Sequence, residues 1–301
     1  MDIIKTIYFQ KLIVINLVLI LFLLINQVGT SEQIVDSVIY ISKTGNGNFS
    51  KIQDGIDLAK PGDTIYVYNG TYFENIVIDK SITLIGENKE STIIDGRETG
   101  NVLKINADNV IVQNFTIQHS GLVYPNSGIN LSSDNNQIYN NIIKNNYYGI
   151  TLYHSSGNII KGNIIKNDDH CGIYLSNSIS NMISNNIIMF HEFNGIGLYY
   201  SSDNNSIQGN NLSNNGFCSV NIRKSEGNNI VGNNISNNSI GIHLPLKNNE
   251  INNIFSNNEI NIDREYELFK YDIFLIIAFY GITSVIVIFI YEKMQKRPRK
   301  K

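Results

Sequence analysis

A short apolar signature recurs through the carboxyl-terminal half of this 301-residue chain, and its spacing restricts the folds that the chain can adopt. The signature has the form Gly-Ile/Val-x-Leu/Ile, with serine replacing glycine in one copy. The six copies begin at Gly128, Gly149, Gly172, Gly195, Ser219 and Gly241, and successive copies are 21 to 24 residues apart. A period of this length is typical of a solenoid, in which each repeat stacks on the next.

The apolar residues within each repeat alternate with polar ones, as Ile150 and Leu152 show, and as Ile173 and Leu175 show again. Alternation of this kind predicts a strand with one buried face. The apolar runs are short, and asparagine, serine and glycine separate them. Three short strands and three turns in a coil of about 22 residues predict an all-β, single-stranded parallel β-helix.

Asparagine dominates the predicted turns because it tolerates left-handed backbone angles and its amide bonds to nearby backbone groups. When the repeats are aligned, asparagines fall at equivalent positions of successive coils, where their side chains can form hydrogen-bonded ladders. One predicted ladder contains Asn158, Asn181, Asn204 and Asn228, and a second contains Asn163, Asn186 and Asn233. We therefore interpret most asparagines as structural.

The segment before these repeats has a different composition. The pattern Ser50-x-x-Gln53 predicts a capping box that opens a short helix. Pro61-Gly62-Asp63 predicts a turn, and several β-rich runs follow it. Because a solenoid must cover the open end of its core, we expect this helix to close the amino-terminal end.

The motifs of this segment resemble the first coils of pectin-lyase-like right-handed parallel β-helices. They are Pro61-Gly62-Asp63-Thr64-Ile65-Tyr66-Val67, Gly70-Thr71-Tyr72, Ile82-Thr83-Leu84-Ile85-Gly86 and Ile93-Ile94-Asp95-Gly96. The asparagine-rich repeats after Gly128 resemble the NosD family, also described as carbohydrate-binding or sugar-hydrolysis repeats. Together the resemblances cover about residues 38–260 and imply a right-handed helix of about ten coils.

The two ends of the chain predict export and membrane anchoring. Residues 1–30 have the features of a signal peptide, either cleaved or retained as an anchor. Residues 273–291 are nineteen uncharged residues, enough to span a bilayer, and a basic tail follows at 292–301. Positive charge favours the cytoplasmic side, so we expect a cytoplasmic tail, a linker at 261–272 and an extracytoplasmic β-helix at 38–260.

Without its ends the chain is acidic. The part between the signal and the predicted span has 15 basic and 24 acidic residues, a net charge of about −9. This charge argues against nucleic acid as a partner and favours bound cations or neutral glycans. Cys171 and Cys218 precede their signatures two coils apart, which is too far for a disulfide, so we expect small buried side chains.

A row of tyrosines is the first candidate site. Positions two and four residues after the signature glycine alternate with buried aliphatics and therefore face solvent. The predicted ligand-binding residues on this face are Tyr153, Tyr174, Tyr199, Tyr200 and Arg223. Tyrosines spaced by whole coils suit stacking on sugar rings, but tyrosine is also a common strand residue without a ligand.

A polar corner before the signature is the second candidate site. Its predicted catalytic residues are Asp168, Asp169, His170 and Glu192, and its predicted metal ligands are His170 and His191. Paired carboxylates beside a histidine can perform general acid/base catalysis. The same groups can hold Ca²⁺ through oxygen or copper through imidazole, and they can also form an ordinary solvated corner.

The resemblance to NosD implies an exported accessory factor in copper-site maturation, or a surface protein without assigned chemistry. The pectin-lyase-like resemblance implies polysaccharide-active enzymes. We favour a membrane-anchored extracellular binding or accessory module for a glycan or a partner protein. The alternatives are a polysaccharide lyase or hydrolase that uses the polar corner, and a copper-handling protein. The five histidines of the chain form no dense His/Met motif of the kind expected in a copper store.

Overall fold

Alternating aliphatic side chains form the interior of a right-handed parallel β-helix in the computed structural model, which describes residues 37–265. Ile150, Leu152, Ile173 and Leu175 are fully buried in one continuous core, as their alternation predicts. The described residues form about ten coils of about 23 residues each, close to the predicted 22. The predicted fold class of this segment is therefore confirmed.

Three parallel sheets form the walls of the helix, and each coil contributes one strand to each sheet. Sheet 1 contains Val38–Ile41, Thr64–Val67, Thr83–Gly86, Ile111–Gln113, Gln137–Tyr139, Ile159–Lys161, Met182–Ser184, Ser206–Gln208, Asn229–Val231 and Asn249–Ile251. Sheet 2 contains Gly70–Phe73, Thr92–Asp95, Thr116–Gln118, Ile142–Lys144, Ile164–Lys166, Ile187–Met189, Asn211–Ser213, Asn234–Ser236 and Ile254–Ser256. Sheet 3 contains Ile76–Ile78, Leu103–Ile105, Ser127–Leu131, Tyr148–Tyr153, Ile173–Ser176, Ile196–Tyr199, Cys218–Arg223, Ile240–Pro245 and Ile260–Glu265.

The strand register of sheet 3 agrees with the alignment of the repeats. Thr151 pairs with Tyr174, Tyr174 with Gly197, and Gly197 with Asn221. Each of these residues lies two positions after the first residue of its signature. The repeat therefore identifies correctly which residues of successive coils are neighbours.

Asparagine ladders run along the interior corners, and the described coils contain three of them. The first ladder consists of Asn136, Asn158, Asn181, Asn205, Asn228 and Asn248. The second consists of Asn141, Asn163, Asn186, Asn210, Asn233 and Asn253. In the third, Asn146 is followed by Asp168 and His191, and then by Asn215, Asn238 and Asn258.

The placement of Asn204 in the first ladder is wrong by one residue. Asn205 is buried and accepts the hydrogen bonds of Asn181, whereas Asn204 is exposed with a left-handed backbone angle of 56°. The step from Asn181 to Asn205 is one residue longer than the step before it, so the ladder position is displaced within the Asn-Asn pair.

A short helix, Ile52–Leu58, packs on the core at the amino-terminal end, with Ile52 and Ile56 buried. The predicted capping box is wrong, because the N-cap is Lys51, one residue after Ser50, and it makes no side-chain cap. The carboxylate of Glu74, which follows the strand Gly70–Phe73, accepts the N–H groups of Ile52 and Gln53 at 3.0 Å each. A tertiary contact therefore replaces the local cap.

The predicted signal segment at 1–30 and the predicted span at 273–291 both lie outside the described residues. Within residues 37–265, no helix is long and apolar enough to cross a membrane.

Candidate functional site

Asp168 and His191 occupy the third ladder, where other coils have asparagine. Oδ1 of Asp168 accepts hydrogen bonds from the backbone and side-chain amides of Asn146 at 2.9 and 3.1 Å. The backbone N–H of Asp168 lies 3.3 Å from Nδ1 of His191, and Nε2 of His191 lies 3.2 Å from the carbonyl oxygen of Ile165. Asp168 is 1% exposed and His191 is 2% exposed. Both side chains therefore lie inside the solenoid.

These contacts fix the protons of the pair. Because the N–H of Asp168 donates to Nδ1 of His191, this nitrogen is unprotonated and Nε2 carries the hydrogen that is donated to Ile165. Burial lowers the pKa of His191 to about 3 and raises the pKa of Asp168 well above its ordinary value, although bonds from Asn146 oppose the rise. Oδ2 of Asp168 has no well-aligned hydrogen bond within residues 37–265, and it lies 3.4 Å from Nδ1 of His191. A neutral carboxyl in this position reproduces asparagine, which accepts at one atom and donates at the other.

Asp169 and Glu192 lie outside the same corner, one coil apart, and both are exposed. The N–H of Asp169 donates to the carbonyl of Asn146, and the N–H of Glu192 donates to the carbonyl of Asp168. Partial burial, and then the charge of Glu192, raise the pKa of Asp169. Because Asp168 lies in the interior, the four residues predicted as catalytic do not share one accessible surface.

His170 belongs to an aromatic column that the sequence interpretation missed. The column contains Tyr147, His170, Phe193 and Phe217, one residue from each of four successive coils. Their ring centroids are 5.7, 4.9 and 5.3 Å apart in that order, and the two phenylalanines are stacked at 10°. Burial lowers the pKa of His170, so its ring is neutral at pH 7. All four residues lie two positions before the first residue of a signature, an offset that could have revealed the column.

Four tyrosines on the outer face of sheet 3, Tyr148, Tyr153, Tyr174 and Tyr199, form a second aromatic group, the tyrosine ridge. The ring of Tyr174 lies 5.9 Å from Tyr153 and 5.2 Å from Tyr199, and it is stacked on Tyr199 at 26°. The structure therefore brings these three predicted residues together. Tyr148, which was not predicted, lies 5.1 Å from Tyr174 and 4.9 Å from His170, and so joins the ridge to the column.

Gly197 allows Tyr199 to lie flat in the ridge. A Cβ atom at Gly197 would lie 2.5 Å from Cε2 of Tyr199, so a side chain here would displace the ring. The hydroxyl oxygen of Tyr199 accepts hydrogen bonds from the side-chain amides of Asn194 at 2.9 Å and Asn221 at 3.3 Å. These contacts fix the ring orientation before any ligand binds.

The remaining predicted ligand-binding residues lie at the edge of the ridge. Tyr200 is exposed, and its ring centroid lies 6.4 Å from that of Tyr199. The ammonium group of Lys224 lies 5.7 Å from the Tyr200 ring. Arg223 is exposed and pairs in register with Tyr199. This edge carries the positive charge, whereas the ridge itself has none.

The tyrosine hydroxyls of the ridge remain protonated. Burial raises the pKa of Tyr148, Tyr153 and Tyr199, and it raises the pKa of Tyr174 to about 12. The rings of Tyr153, Tyr174 and Tyr199 are half-buried, which leaves part of each ring open to solvent. The ridge and column thus form an uncharged, partly exposed aromatic surface, suited to ligands with apolar faces.

Comparison with known families places a NosD model on this chain. The family is described as "Periplasmic copper-binding protein (NosD)", and its model matches residues 56–269, well over half of the chain. A comparison with curated proteins found no match.

Comparison with solved structures supports the fold. The structure of pectate lyase Pel9A has a TM-score of 0.58 at 13% identity, covering 77% of this chain and 79% of its own. The complex of XylC with xylose also has a TM-score of 0.58 at 13% identity, covering 76% of this chain and 70% of its own. At this identity the likeness shows a shared parallel β-helix and nothing about activity.

The copper description can be tested against the residues present. No group of three or more His, Cys, Asp or Glu side chains within residues 37–265 is arranged to hold a metal. His170 lies outside the coil wall and His191 inside it, with both ring nitrogens of His191 engaged. Cys171 and Cys218 are free and buried, as their spacing predicts, and burial raises the pKa of each thiol to about 12. Because neither thiol has the further donors of a metal site arranged beside it within residues 37–265, these residues do not fit a copper centre.

Proposed function

We propose that the β-helix of this chain works outside the cytoplasm as a binding module for an uncharged glycan. The chain belongs to the NosD family of periplasmic proteins. The observation that supports this proposal is the set of aromatic rings in the tyrosine ridge and the aromatic column, which the buried Tyr148 joins. It extends over four successive coils on one side of the solenoid. The carbohydrate-binding description of similar repeats agrees with this role.

The spacing of the rings suits a polymer. Strands of neighbouring coils lie about 4.8 Å apart, so equivalent rings repeat at that interval along the solenoid axis. A chain of sugar units that lies along the axis meets a new ring at each coil. Sugar rings present apolar C–H faces, which pack on aromatic faces such as those of Tyr174 and Phe193.

Charge favours a neutral ligand. The segment between the predicted signal and the predicted span has a net charge of about −9, which repels an acidic polymer at long range. The ridge and column carry no charge, because the tyrosines are protonated and His170 is neutral. Arg223 and Lys224 at the edge are too few to reverse this balance.

The binding test uses the full-length chain, purified in detergent, on an array of neutral and acidic glycans. We expect wild type to bind neutral glycans, and a Tyr174→Ala/Phe193→Ala variant, which removes one ring from each group, to bind about tenfold more weakly. Tyr40→Ala is the matched control, because Tyr40 is an exposed tyrosine on sheet 1.

The comparison is valid if the variant and the control have the same melting temperature by circular dichroism, which shows that both are folded. Equal binding by the wild type and the double variant would exclude the aromatic surface. Absence of any glycan binding by wild type would instead favour a partner protein as the ligand.

We also propose that residues 273–291 anchor the β-helix to the membrane. Nineteen uncharged residues followed by a basic tail support one span with a cytoplasmic carboxyl terminus. We expect the full chain to stay in the membrane fraction after alkaline carbonate extraction, and a chain that ends at Asp272 to be released once the signal at 1–30 is cleaved. Release of the full chain by the same treatment would argue against the anchor.

A further inference from the structure

A groove of about 380 Å³ lies on sheet 1, away from the tyrosine ridge. Its lining residues come from two neighbouring coils and are Gln137, Tyr139, Asn140, Ile159, Lys161 and Gly162. Gln137 pairs with Ile159 and Tyr139 with Lys161, so the four strand residues form a two-by-two array on the outer face of the sheet. The groove is within the size range of a site for one small ligand.

Gly162 keeps one corner of this groove open. It follows Lys161 with a left-handed backbone angle of 66°, and a Cβ atom there would have no neighbour within 4 Å. The equivalent residue of the preceding coil, Asn140, fills its own corner, and its side-chain amide donates to Asn114 at 2.7 Å. The loss of a side chain at Gly162 therefore leaves space beside Tyr139 and Lys161.

Two lysines contribute to the groove. Lys161 lines it and is exposed, and Lys89, from an earlier coil, donates a hydrogen bond to Oδ1 of the lining residue Asn140 at 2.8 Å. The carbonyl of Lys89 is itself held by the Thr116 hydroxyl at 2.7 Å. None of the groove-lining residues is acidic. The groove is therefore locally basic, whereas the protein as a whole is acidic.

The local carboxylate belongs to a different part of the coil. Asp134 lies in the turn before the strand Gln137–Tyr139, whereas Asn140 follows that strand. Oδ1 of Asp134 accepts the backbone N–H of Ser156, in the corresponding turn of the next coil, at 2.6 Å. Lys161 itself forms no ion pair among residues 37–265, so its ammonium group can meet a ligand.

We propose that this groove binds a sugar that carries an anionic group, with the anion near Lys161 and Lys89 and the ring against Tyr139. The shared chemistry is a phosphate or a carboxylate on a pyranose. Lys161 attracts the anion, the amide of Gln137 is free to bond to hydroxyls, and Ile159 covers the apolar edge. This site is independent of the aromatic surface on sheet 3. Its proposed ligand is anionic, whereas the proposed ligand of that surface is neutral.

The test is calorimetric titration of the full-length chain in detergent with glucose 1-phosphate, glucuronate and glucose. We expect one of the two anionic sugars to bind at least about tenfold more tightly than glucose, because a charge-assisted hydrogen bond contributes more than a neutral one. The stronger of the two anions identifies the group. Binding should weaken as salt is raised.

Three variants make the result specific. Lys161→Gln should weaken binding of the anionic sugar by about tenfold or more, and Lys161→Arg should retain it. Lys104→Gln, at an exposed position of sheet 3, removes the same charge elsewhere and should leave binding unchanged. Equal binding of all three sugars, or equal loss in Lys161→Gln and Lys104→Gln, would overturn the proposal. The sheet 3 glycan test is unaffected by either result.

Discussion

Replacing Asn186 with alanine is expected to lower the free energy of unfolding of the β-helix by about 3 to 5 kcal/mol. Oδ1 of Asn186 accepts both amide donors of Asn163, at 2.9 and 3.1 Å. Its Nδ2 donates to Oδ1 of Asn210 at 3.0 Å and to the carbonyl of Ile160 at 2.9 Å. Alanine leaves these partners buried without Asn186, and each unsatisfied buried group costs about 1 to 3 kcal/mol.

Urea unfolding followed by circular dichroism measures this loss. The matched control is Asn211→Ala, which removes the same side chain from an exposed position of sheet 2 and should change stability by less than about 0.5 kcal/mol. Because a solenoid unfolds partly coil by coil, limited proteolysis should detect new cleavage near the altered coil in Asn186→Ala alone. Similar losses in both variants would show that the ladder is not what holds the coils together.

The repeat predicts the fold well because the fold is itself periodic. Alternation determines which side chains face the core, and the position of the signature determines the register. The predicted pairing of equivalent residues in successive coils, from Thr151 to Asn221, is therefore correct. The features that the repeat predicts wrongly each depend on a single residue. The extra residue before Asn205 displaces the ladder, and the helix cap comes from Glu74, which is more than twenty residues away. Neither is visible in a local pattern.

The candidate site shows the same limit. The tyrosines of sheet 3 are predictable because they alternate with core residues of known orientation. At a corner, the chain changes direction and alternation no longer tells inside from outside. Asp168, Asp169 and His170 are adjacent in sequence, yet they occupy an interior ladder, an exposed corner and an aromatic column. Sequence proximity therefore suggested a cluster that the backbone separates.

Asp168→Asn is expected to raise the free energy of unfolding at pH 7, with a gain that disappears as the pH falls toward 4. An aspartate in the unfolded chain ionises near its ordinary value of 3.8, whereas burial raises the pKa of Asp168 in the folded state. Above the unfolded-state value, folding must take up a proton. Taken alone, this proton uptake lowers the free energy of unfolding by up to about 1.4 kcal/mol per pH unit as the pH rises, until the folded-state pKa is reached. Asparagine removes this loss, because its side chain is neutral at every pH and takes up no proton on folding.

His191 affects the free energy of unfolding at acidic pH. Burial lowers its pKa from 6.5 to about 3, so the unfolded chain binds a proton below pH 6.5 that the folded chain does not. Between pH 3.8 and pH 6.5 this effect opposes that of Asp168, so the free energy of unfolding of wild type should change little with pH. Asp168→Asn should lose stability as the pH drops from 6.5 toward 3, whereas His191→Asn should gain stability as the pH drops from 6.5 toward 4. Urea unfolding between pH 3 and pH 8 measures both effects, with the exposed Asp79→Asn as a control whose profile should parallel wild type.

The two variants also distinguish a neutral pair from an ion pair. If Asp168 were ionised and His191 protonated, Asp168→Asn would leave a buried cation without its partner and would destabilise the protein at pH 7. A neutral pair predicts the opposite sign. The hydrogen bond from the N–H of Asp168 to Nδ1 of His191 requires an unprotonated nitrogen, so the geometry favours stabilisation. The third ladder then tolerates its two ionisable residues only because both imitate asparagine in their uncharged forms.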